Sequence, residues 1–374
     1  MYNNATDDTL FLQKLLDKRG DVHFPSGTYT ISETLVIYDN TRLALSADTV
    51  VKLADEACCT MLRNENLGKD GSNYRITVEG GVWDGNNLTQ RRGKVYENKA
   101  YFSGVIMRFE DVYDLTVRDT VIKDPESYAM QFRGVDRFTV ENITFDYNMA
   151  KPNMDGVHVN GPSRNGYIRN IKGATNDDLV ALNCDDGYDD GENPIRTKGD
   201  IENVHVDGLY ADNGYTAVRL LSCGSIMRNI SIKNIFGTYR FYGVSFTHHD
   251  IFPGEPSRFE GVYVENVFCS KVPQNPPVDR RFIDSIDNAY GKGTHDWAVK
   301  GAPIIWFADG VTCGTVVLSN IHRFEYAETS APTIKIDENV KIDSLCIRNA
   351  FQRFVNCEEV PLVVNDGTAN IIMQ

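Results

Sequence analysis

The sequence predicts an all-β chain that winds into a single right-handed parallel β-helix behind a short N-terminal capping helix. Three observations predict this fold. Short apolar strands follow one another almost without interruption, a degenerate motif recurs along the chain, and helical periodicity is confined to the start. One coil of such a chain cannot bury its apolar side chains alone, so the coils must stack into a continuous core. We therefore expect one domain over residues 1–374.

The recurring motif is a short apolar strand that ends in Asn, Asp or Gly. Its nine copies end at Gly80, Asp119, Asn142, Asn170, Gly208, Asn234, Asn266, Asn320 and Asn349. These residue types tolerate the left-handed αL conformation, so we expect each of them to turn the chain at one corner of a coil. A β-sandwich would also contain many short strands, but it would not place the same corner residue in every unit.

The N-terminal segment predicts the capping helix, and the spacing of the motif predicts two loops. Asp7-Asp8-Thr9 can cap a first helical turn. Apolar residues then recur at helical spacing, at Leu10, Leu12, Leu15 and Leu16. The longest steps between motif copies predict loop insertions near residues 185–200 and 270–301. Long loops on a compact scaffold are often functional.

The composition excludes several classes of function. A formal net charge of -14 repels nucleic acid and anionic lipid, so neither is an expected partner. No run is apolar and long enough to span a bilayer, which argues against a membrane protein. We find no glycine pattern of a Rossmann or P-loop site, and we expect neither a cofactor nor a bound metal.

The cysteines and the first residues predict a reduced, cytoplasmic chain. None of the eight cysteines has CxxC spacing, which argues against a structural zinc site. Several lie in apolar runs such as Leu345-Cys346-Ile347, where a free thiol packs like a small hydrophobic side chain. Residues 1–4 lack the basic and apolar segments of a signal peptide. A secreted protein whose signal has been removed would start in the same way, so secretion stays open.

A second set of strands follows the corners and can be aligned between coils. Because alternate residues of a strand face opposite sides, one set of side chains enters the core and the other points outward. The inward set is Met130, Val157, Val180, Val218 and Val244. The outward set is Gln131, His158, Ala181, Arg219 and Ser245, followed by Arg133, Asn160, Asn183 and Thr247. This polar outward row predicts a binding cleft.

Three carboxylates stand at the entrances of two of these strands. Asp155 precedes one strand, and Asp177-Asp178 precedes the next. In this register Asp155 and Asp178 lie one coil apart, about 5 Å between backbones. Repulsion between such carboxylates raises at least one pKa, and groups in different protonation states can act as acid and base in glycosidic cleavage. A calcium site or an Asp-rich turn is the alternative explanation.

Four motifs resemble those of the polygalacturonase-like glycoside hydrolase family 28, within the pectate-lyase superfamily of parallel β-helix proteins. They are Phe24–Tyr29, Gly80–Asn86, Asn153–Gly156 and Asn176–Asp178, which are similar to the family's FPxGTY, GGxxDGxG, NTDG and GDD segments. The resemblance covers nearly the whole chain. It implies an inverting glycoside hydrolase acting on a plant-type, pectin-related polysaccharide or oligosaccharide. Asp177 would be the general acid, and Asp155 and Asp178 would activate the attacking water.

The chain departs from the family at two motifs that carry positive charge. The GHG motif should fall at Tyr215-Thr216-Ala217, and the RIK motif, which binds a galacturonate carboxylate, at Ser245-Phe246-Thr247. Arg219 or Arg133 could bind a carboxylate instead. The histidines that could replace the lost one are His158, His248 and His249. The full set of candidate substrate-binding residues is Gln131, Arg133, His158, Asn160, Asn183, Tyr215, Thr216, Arg219, Ser245, Thr247, His248 and His249.

Two other functions remain open at this stage. A β-helix polysaccharide lyase or epimerase would use a strong base, with Ca²⁺ held by the acidic loop over residues 185–192. A non-catalytic carbohydrate-binding solenoid would account for the missing cationic motifs. In all three cases the expected partner is a carbohydrate.

Overall fold

The computed structural model describes residues 7–69, 71–91, 104–151, 153–186, 198–248, 254–271, 302–355 and 357–374. They form one helix, α1 (Thr9–Leu16), and 27 strands. The strands are β1 (Asp21–Phe24), β2 (Thr28–Ile31), β3 (Leu35–Ile37), β4 (Thr41–Leu45), β5 (Val50–Leu53), β6 (Leu62–Asn64), β7 (Asn73–Glu79), β8 (Val82–Asp84), β9 (Met107–Glu110), β10 (Val112–Arg118), β11 (Val121–Lys123), β12 (Met130–Arg133), β13 (Asp136–Asp146), β14 (Val157–Asn160), β15 (Ser163–Lys172), β16 (Asp178–Asn183), β17 (Ile201–Gly214), β18 (Thr216–Leu221), β19 (Ile226–Tyr239), β20 (Val244–Thr247), β21 (Arg258–Lys271), β22 (Ile305–Phe307), β23 (Thr312–Glu325), β24 (Ile334–Ile336), β25 (Lys341–Phe354), β26 (Val363–Asn365) and β27 (Thr368–Met373).

The strands build two long parallel sheets, in which each strand pairs with the strand one coil away. The first sheet runs in the order β1-β4-β7-β10-β13-β15-β17-β19-β21-β23-β25-β27, with β2, β5, β8 and β11 beside it. The second sheet runs in the order β26-β24-β22-β20-β18-β16-β14-β12-β9-β6-β3. Since neighbours in space are separated by a full coil in sequence, the chain is a parallel β-helix, and the predicted fold class is confirmed.

The predicted corner residues all adopt the left-handed conformation. All nine have φ between +48° (Asn349) and +82° (Gly80). From β13 onward the corner lies inside one long strand, which bends there and so covers two sides of the coil. The corner side chains also bond to one another along the helix axis. The Asn234 amide donates to Asp207 (2.6 Å), and Asn266 in the next coil donates to Asn234 (2.9 Å).

A second asparagine ladder was not predicted. Asn165, Asn203 and Asn229 have φ of 57°, 55° and 55°, and each amide donates to the side chain one coil before it, at 2.8 to 3.1 Å. Asparagine is common in ordinary turns, so these three positions did not stand out before the register of the coils was known.

The core is the column of apolar side chains inside the coils. The five residues predicted to point inward, from Met130 to Val244, are paired in register and fully buried. Each such side chain contributes about 1.5–3 kcal/mol of burial free energy. This column fixes which side chains of the same strands face outward.

Helix α1 covers the first coil, as predicted, but its cap differs from the expected one. Leu12 and Leu16 are buried in the core, whereas Leu10 is exposed. The side chain of Asp7 accepts the hydrogen bond of the Thr9 amide (3.0 Å), and Asp8 makes no side-chain cap. Asp8 instead accepts from the Thr30 amide (2.9 Å), which ties the helix to β2.

The sequence also makes predictions about the cysteines, about membrane-spanning segments and about two loop insertions. All eight cysteines are free thiols, and five of them are buried. The helix of the described region is too short and too polar to cross a membrane. Residues 187–197 and 272–301, which make up most of the two predicted insertions, lie outside the described residues.

Candidate active site

The polar row lies on the outer face of the second sheet, in the predicted register. Gln131, His158, Ala181, Arg219 and Ser245 are paired strand by strand from β12 to β20. However, most of this row is not exposed. Gln131, His158 and Ser245 are each at most 3% accessible. Polar side chains remain buried at low cost only when they are hydrogen-bonded, and Gln131 and His158 both bond to neighbouring polar side chains.

The three carboxylates converge at the entrances of β14 and β16. The Gly156 amide donates to the Asp178 carbonyl (2.9 Å), which holds the segment carrying Asp155 beside the one carrying Asp178. Asp155 and Asp178 are buried, and Asp177 is partly buried. The predicted spacing of one coil between Asp155 and Asp178 is therefore present.

His158 stands between two carboxylates. Its Nδ1 is 2.6 Å from Asp155 Oδ2, and its Nε2 is 2.8 Å from Asp186 Oδ2. The ring of Tyr128 stacks on the imidazole, with centroids 4.1 Å apart and planes 11° apart. The ring of His158 is thus held on both edges and on one face.

Three amide side chains surround this imidazole. Gln131 Nε2 donates to Asn160 Oδ1 (3.0 Å). The Asn160 and Asn183 amides lie 3.2 and 3.4 Å from His158 Nε2, and Asn160 also donates to Asp186 (3.4 Å). The structure thus brings together all three predicted amide residues with His158.

A second cation lies on the other side of the carboxylates. Arg219 Nη1 is 3.9 Å from Asp178 Oδ2, and Arg219 Nε donates to Thr247 Oγ1 (3.3 Å). Thr216, paired with Asp178 across the sheet, also hydrogen-bonds the Asp178 carboxylate. Arg219 therefore sits among acids, and although burial opposes it, the surrounding carboxylates, Asp178 foremost, raise the pKa of its guanidinium.

The three carboxyls have unequal environments. Burial, with repulsion from Asp155 and Asp178, raises the pKa of Asp177 well above its ordinary value. Burial also raises the pKa of Asp178 to about 7, although Arg219 counteracts part of this effect. Burial raises the pKa of Asp155, against the lowering effect of its hydrogen bond with His158. Asp177 accepts instead from the neutral Asn153 amide (3.3 Å).

The pKa values of His158 and Asp186 are shifted in opposite directions. Burial acts to lower the pKa of His158, but its hydrogen bonds with Asp155 and Asp186 prevail and raise that pKa to about 10. Burial acts to raise the pKa of Asp186, but His158 and Arg219 lower it to about 2. This corner of the site thus favours an imidazolium beside an ionised Asp186 carboxylate.

Arg240 is hydrogen-bonded to the loop that carries Asp177 and Asp178. Arg240 is buried, and its Nη2 donates to Asn176 Oδ1 (2.8 Å) and to the Thr175 carbonyl (3.2 Å). Its guanidinium carbon lies 5.4 Å from the ring centroid of Tyr215. Tyr215 in turn packs on Phe241, with centroids 4.1 Å apart. Tyr215, a candidate substrate-binding residue, therefore already contacts two protein groups.

The sequence profile of glycosyl hydrolases family 28 matches residues 41–235, more than half of the chain, and this stretch includes all three carboxylates. The chain belongs to this family. The likeness to solved structures extends over the whole β-helix. The polygalacturonase from Erwinia carotovora superposes with a TM-score of 0.64 at 13% identity, covering 100% of this chain and 95% of that one.

Two further solved structures share the fold. The family 28 exopolygalacturonase of Yersinia enterocolitica gives a TM-score of 0.59 at 12% identity, over 99% of this chain and 76% of that one. PfbA, a surface adhesin of Streptococcus pneumoniae, gives 0.51 at 13% identity, over 99% and 91%. No curated protein sequence matches the chain. At such identities the likeness establishes the fold alone.

Some predicted residues of this family 28 chain have contacts other than the three carboxylates. His248 Nε2 bonds to the main-chain carbonyl of Glu255. Arg133, at the end of β12, is paired in register with Glu110, and its charge counteracts the burial that raises the pKa of Asp111. His249 lies outside the described residues. Ser245 stays in the row, between Arg219 and Trp306.

Sequence reasoning missed several residues that shape this family 28 site. Tyr128 precedes its strand as Asp155 precedes β14, so the strand alignment itself could have identified it. The sequence assigns Asp186 to the acidic loop that would hold Ca²⁺ in a lyase or epimerase. Within the described ranges no cluster of three His, Cys, Asp or Glu side chains could hold a metal ion. The carboxylate of the neighbouring Asp185 accepts hydrogen bonds from the main-chain amides of Cys223 and Ser225, at 2.7 and 2.9 Å.

Proposed function

We propose that this protein is an inverting glycoside hydrolase that cleaves glycosidic bonds in a pectin-related plant polysaccharide or oligosaccharide. The observation that carries the proposal is the difference in environment among three converging carboxyls. Asp155 is hydrogen-bonded to an imidazole, Asp178 lies beside a guanidinium, and Asp177 contacts a neutral amide. Groups whose environments push their pKa values apart are suited to act as acid and base.

Asp177 is the proposed general acid. Its raised pKa favours the protonated carboxyl, and that proton passes to the glycosidic oxygen as the bond to the anomeric carbon breaks. Arg240 holds the preceding residue, Asn176, and so restricts where the Asp177 side chain can lie.

Asp155, with Asp178, is the proposed base. A water molecule between the sugar and these carboxylates loses its proton to one of them as its oxygen bonds to the anomeric carbon. Attack from the face opposite the leaving oxygen inverts the configuration at that carbon. After the reaction Asp177 is ionised and the base is protonated, so exchange of protons with solvent restores the starting state.

The row beside the carboxylates is polar, and the side chain of Arg219 within it is 30% accessible. Among the described residues, Gln131 Oε1 and Asn183 Oδ1 are buried acceptors without a hydrogen-bond partner. The polygalacturonases with the same fold support a pectin-related substrate. The family's cationic positions are occupied here by Thr216, Ser245 and Thr247, so Arg219 is the proposed replacement for binding an acidic sugar.

The test is product release from a panel of acidic and neutral pectic glycans, with Asp177→Asn beside the wild type. We expect new reducing ends without the ultraviolet absorbance of an unsaturated product, and loss of that activity in the variant. Asp146→Asn is the matched control, because Asp146 is exposed and pairs with Lys123 (3.0 Å) away from the site. Proton NMR of the first-formed product should show the inverted anomer.

Other outcomes would contradict the proposal in distinguishable ways. An unsaturated product would indicate a lyase, and a retained anomeric configuration would exclude the inverting mechanism. Sugar binding without turnover on every glycan would favour a non-catalytic carbohydrate-binding solenoid.

A further inference from the structure

The imidazole of His158 has both nitrogens occupied by carboxylates. Asp155 Oδ2 lies 2.6 Å from Nδ1, and Asp186 Oδ2 lies 2.8 Å from Nε2. A neutral imidazole has one N–H, so two short contacts with ionised acceptors need a second proton. An imidazolium between two carboxylates supplies both donors and places opposite charges side by side in a buried site.

The same imidazole is fixed in place. It is 2% accessible, it is stacked against Tyr128, and its partner Asp186 also accepts from the Asn160 amide (3.4 Å). A sugar hydroxyl could reach neither nitrogen without displacing a carboxylate. These contacts oppose the substrate-binding role that the sequence predicts for His158, and they favour a role that acts through Asp155.

We propose that His158 and Asp186 are positioning residues: His158 keeps the Asp155 carboxylate ionised and oriented for water activation, Asp186 keeps the His158 ring charged and fixed, and neither contacts the sugar. This inference rests on the proposed function of Asp155 as a base. Asp186 accepts a hydrogen bond from Nε2–H, which fixes the orientation of the ring. In that orientation Nδ1–H donates to Asp155. The arrangement parallels a carboxylate that orients a catalytic histidine, with the difference that here the histidine orients the base.

The charges facing His158 determine the sign of the expected effects. The groups around it are Asp155, Asp177, Asp178, Asp186, Arg219 and Tyr128. Removing the charge of Asp186 leaves fewer carboxylates to stabilise the imidazolium, so the pKa of His158 falls. Removing His158 itself takes away the charged donor of Asp155, so the pKa of Asp155 rises, whereas the charge of Asp186 acts directly on Asp155 in the opposite sense to His158.

The first experiment does not depend on any substrate. The protonation of His158 is followed by NMR of ¹⁵N-histidine-labelled protein, with its resonances assigned through His158→Gln. We expect the wild-type ring to stay protonated through pH 8, and Asp186→Asn to lower its pKa by about one unit or more. Asp146→Asn should leave the titration unchanged. A wild-type ring that titrates near 6.5, or one that Asp186→Asn does not affect, would overturn the proposal.

The second experiment uses any pectic glycan that the wild type hydrolyses. For His158→Gln we expect the acidic limb of the kcat/KM profile to move to higher pH, with a loss of about tenfold or more at pH 5, because Asp155 loses its charged donor. His158 is buried between two carboxylates, so its replacement should lower Tm, and circular dichroism at the assay temperature checks that the variant is folded. A folded His158→Gln with an unshifted profile would overturn the proposal, whereas activity that survives Asp177→Asn would contradict the proposed function instead.

Discussion

Arg219 Nη1 lies 3.9 Å from Asp178 Oδ2, one strand along the outer face of the second sheet. The guanidinium lowers the pKa of a carboxyl that burial raises to about 7. This cation, rather than the histidine or RIK residues typical of the family, is the positive charge nearest to Asp178 among the described contacts.

Replacing Arg219 should alter the protonation of Asp178. In Arg219→Gln we expect the pKa of Asp178 to rise. Burial and the charge of Asp155 raise this pKa, and the guanidinium that lowers it is then absent. The acidic limb of kcat/KM should move to higher pH by about one unit, and carboxyl ¹³C NMR should show the same shift for Asp178. Arg219→Lys keeps the charge and should move the limb less. Equal profiles for Arg219→Gln and the wild type would show that Arg219 does not control Asp178.

Replacing Asp177 should separate activity from stability. We expect Asp177→Asn to reduce kcat by about 10²–10⁴-fold. The folded-state pKa of Asp177 lies above its unfolded value of 3.8, so the folded protein retains a proton that the unfolded chain releases. Stability of the wild type therefore declines as pH rises above 3.8 towards the folded pKa, and Asn removes that decline.

The measurement for this prediction is Tm as a function of pH. The Tm of Asp177→Asn minus that of the wild type should increase from pH 4 to pH 8, while Asp146→Asn should give a flat difference. An inactive Asp177→Asn that is destabilised at every pH would instead indicate that the loss of activity reflects unfolding.

Gly156 should tolerate no side chain. A Cβ at this position would lie 2.4 Å from the Leu179 carbonyl oxygen and 2.4 Å from the ring of Phe145. Gly156→Ala should therefore push β14 away from β16 and displace Asp155, with a stability loss of about 1–3 kcal/mol and a fall in kcat. Gly243 precedes β20 as Gly156 precedes β14, and there a Cβ would come no closer than 3.1 Å. Gly243→Ala should be milder in both measurements, and an equal effect would contradict the steric explanation.

The asparagine ladder should contribute to stability at a corner of the coil. Asn234→Ala removes hydrogen bonds to Asp207 and from Asn266, and it places a Cβ-bearing residue without a polar side chain at φ +58°. We expect a loss of about 2–3 kcal/mol. Asn234→Gly loses the same hydrogen bonds, but glycine adopts the αL conformation without steric cost. Asn234→Gly should therefore be less destabilising than Asn234→Ala in denaturant unfolding. Equal losses would mean that the αL conformation is not the reason for Asn at this corner.

Much of the fold could be predicted because its determinants are local and repeat. The corner residues were identified from their residue type and their place after an apolar strand, and all nine have positive φ. The alignment of Val157, Val180 and Val218 followed from the same corners, and it is the observed register. With that register, Asp155 and Asp178 had to lie on neighbouring coils.

The contacts between side chains could not be predicted in the same way. His158 was expected to face outward, and it does, but its burial between Asp155 and Asp186 depends on the path of the chain after β16 ends. The sequence groups His248 and Arg133 with the site because they lie at the ends of the same set of strands. In the structure His248 bonds to the Glu255 carbonyl, and the charge of Arg133 acts on Asp111.

By itself the sequence determined the stacking of coils, the corners and the strand entrances where the carboxyls stand, because strand periodicity and αL preference act over a few residues. Only the tertiary structure decided which cation faces which carboxylate. Those pairings join residues from different coils and from the segments that follow the strands, and their strength depends on burial, which no periodic pattern encodes. His158 beside Asp155 and Arg219 beside Asp178 are the two pairings that distinguish the three carboxyls.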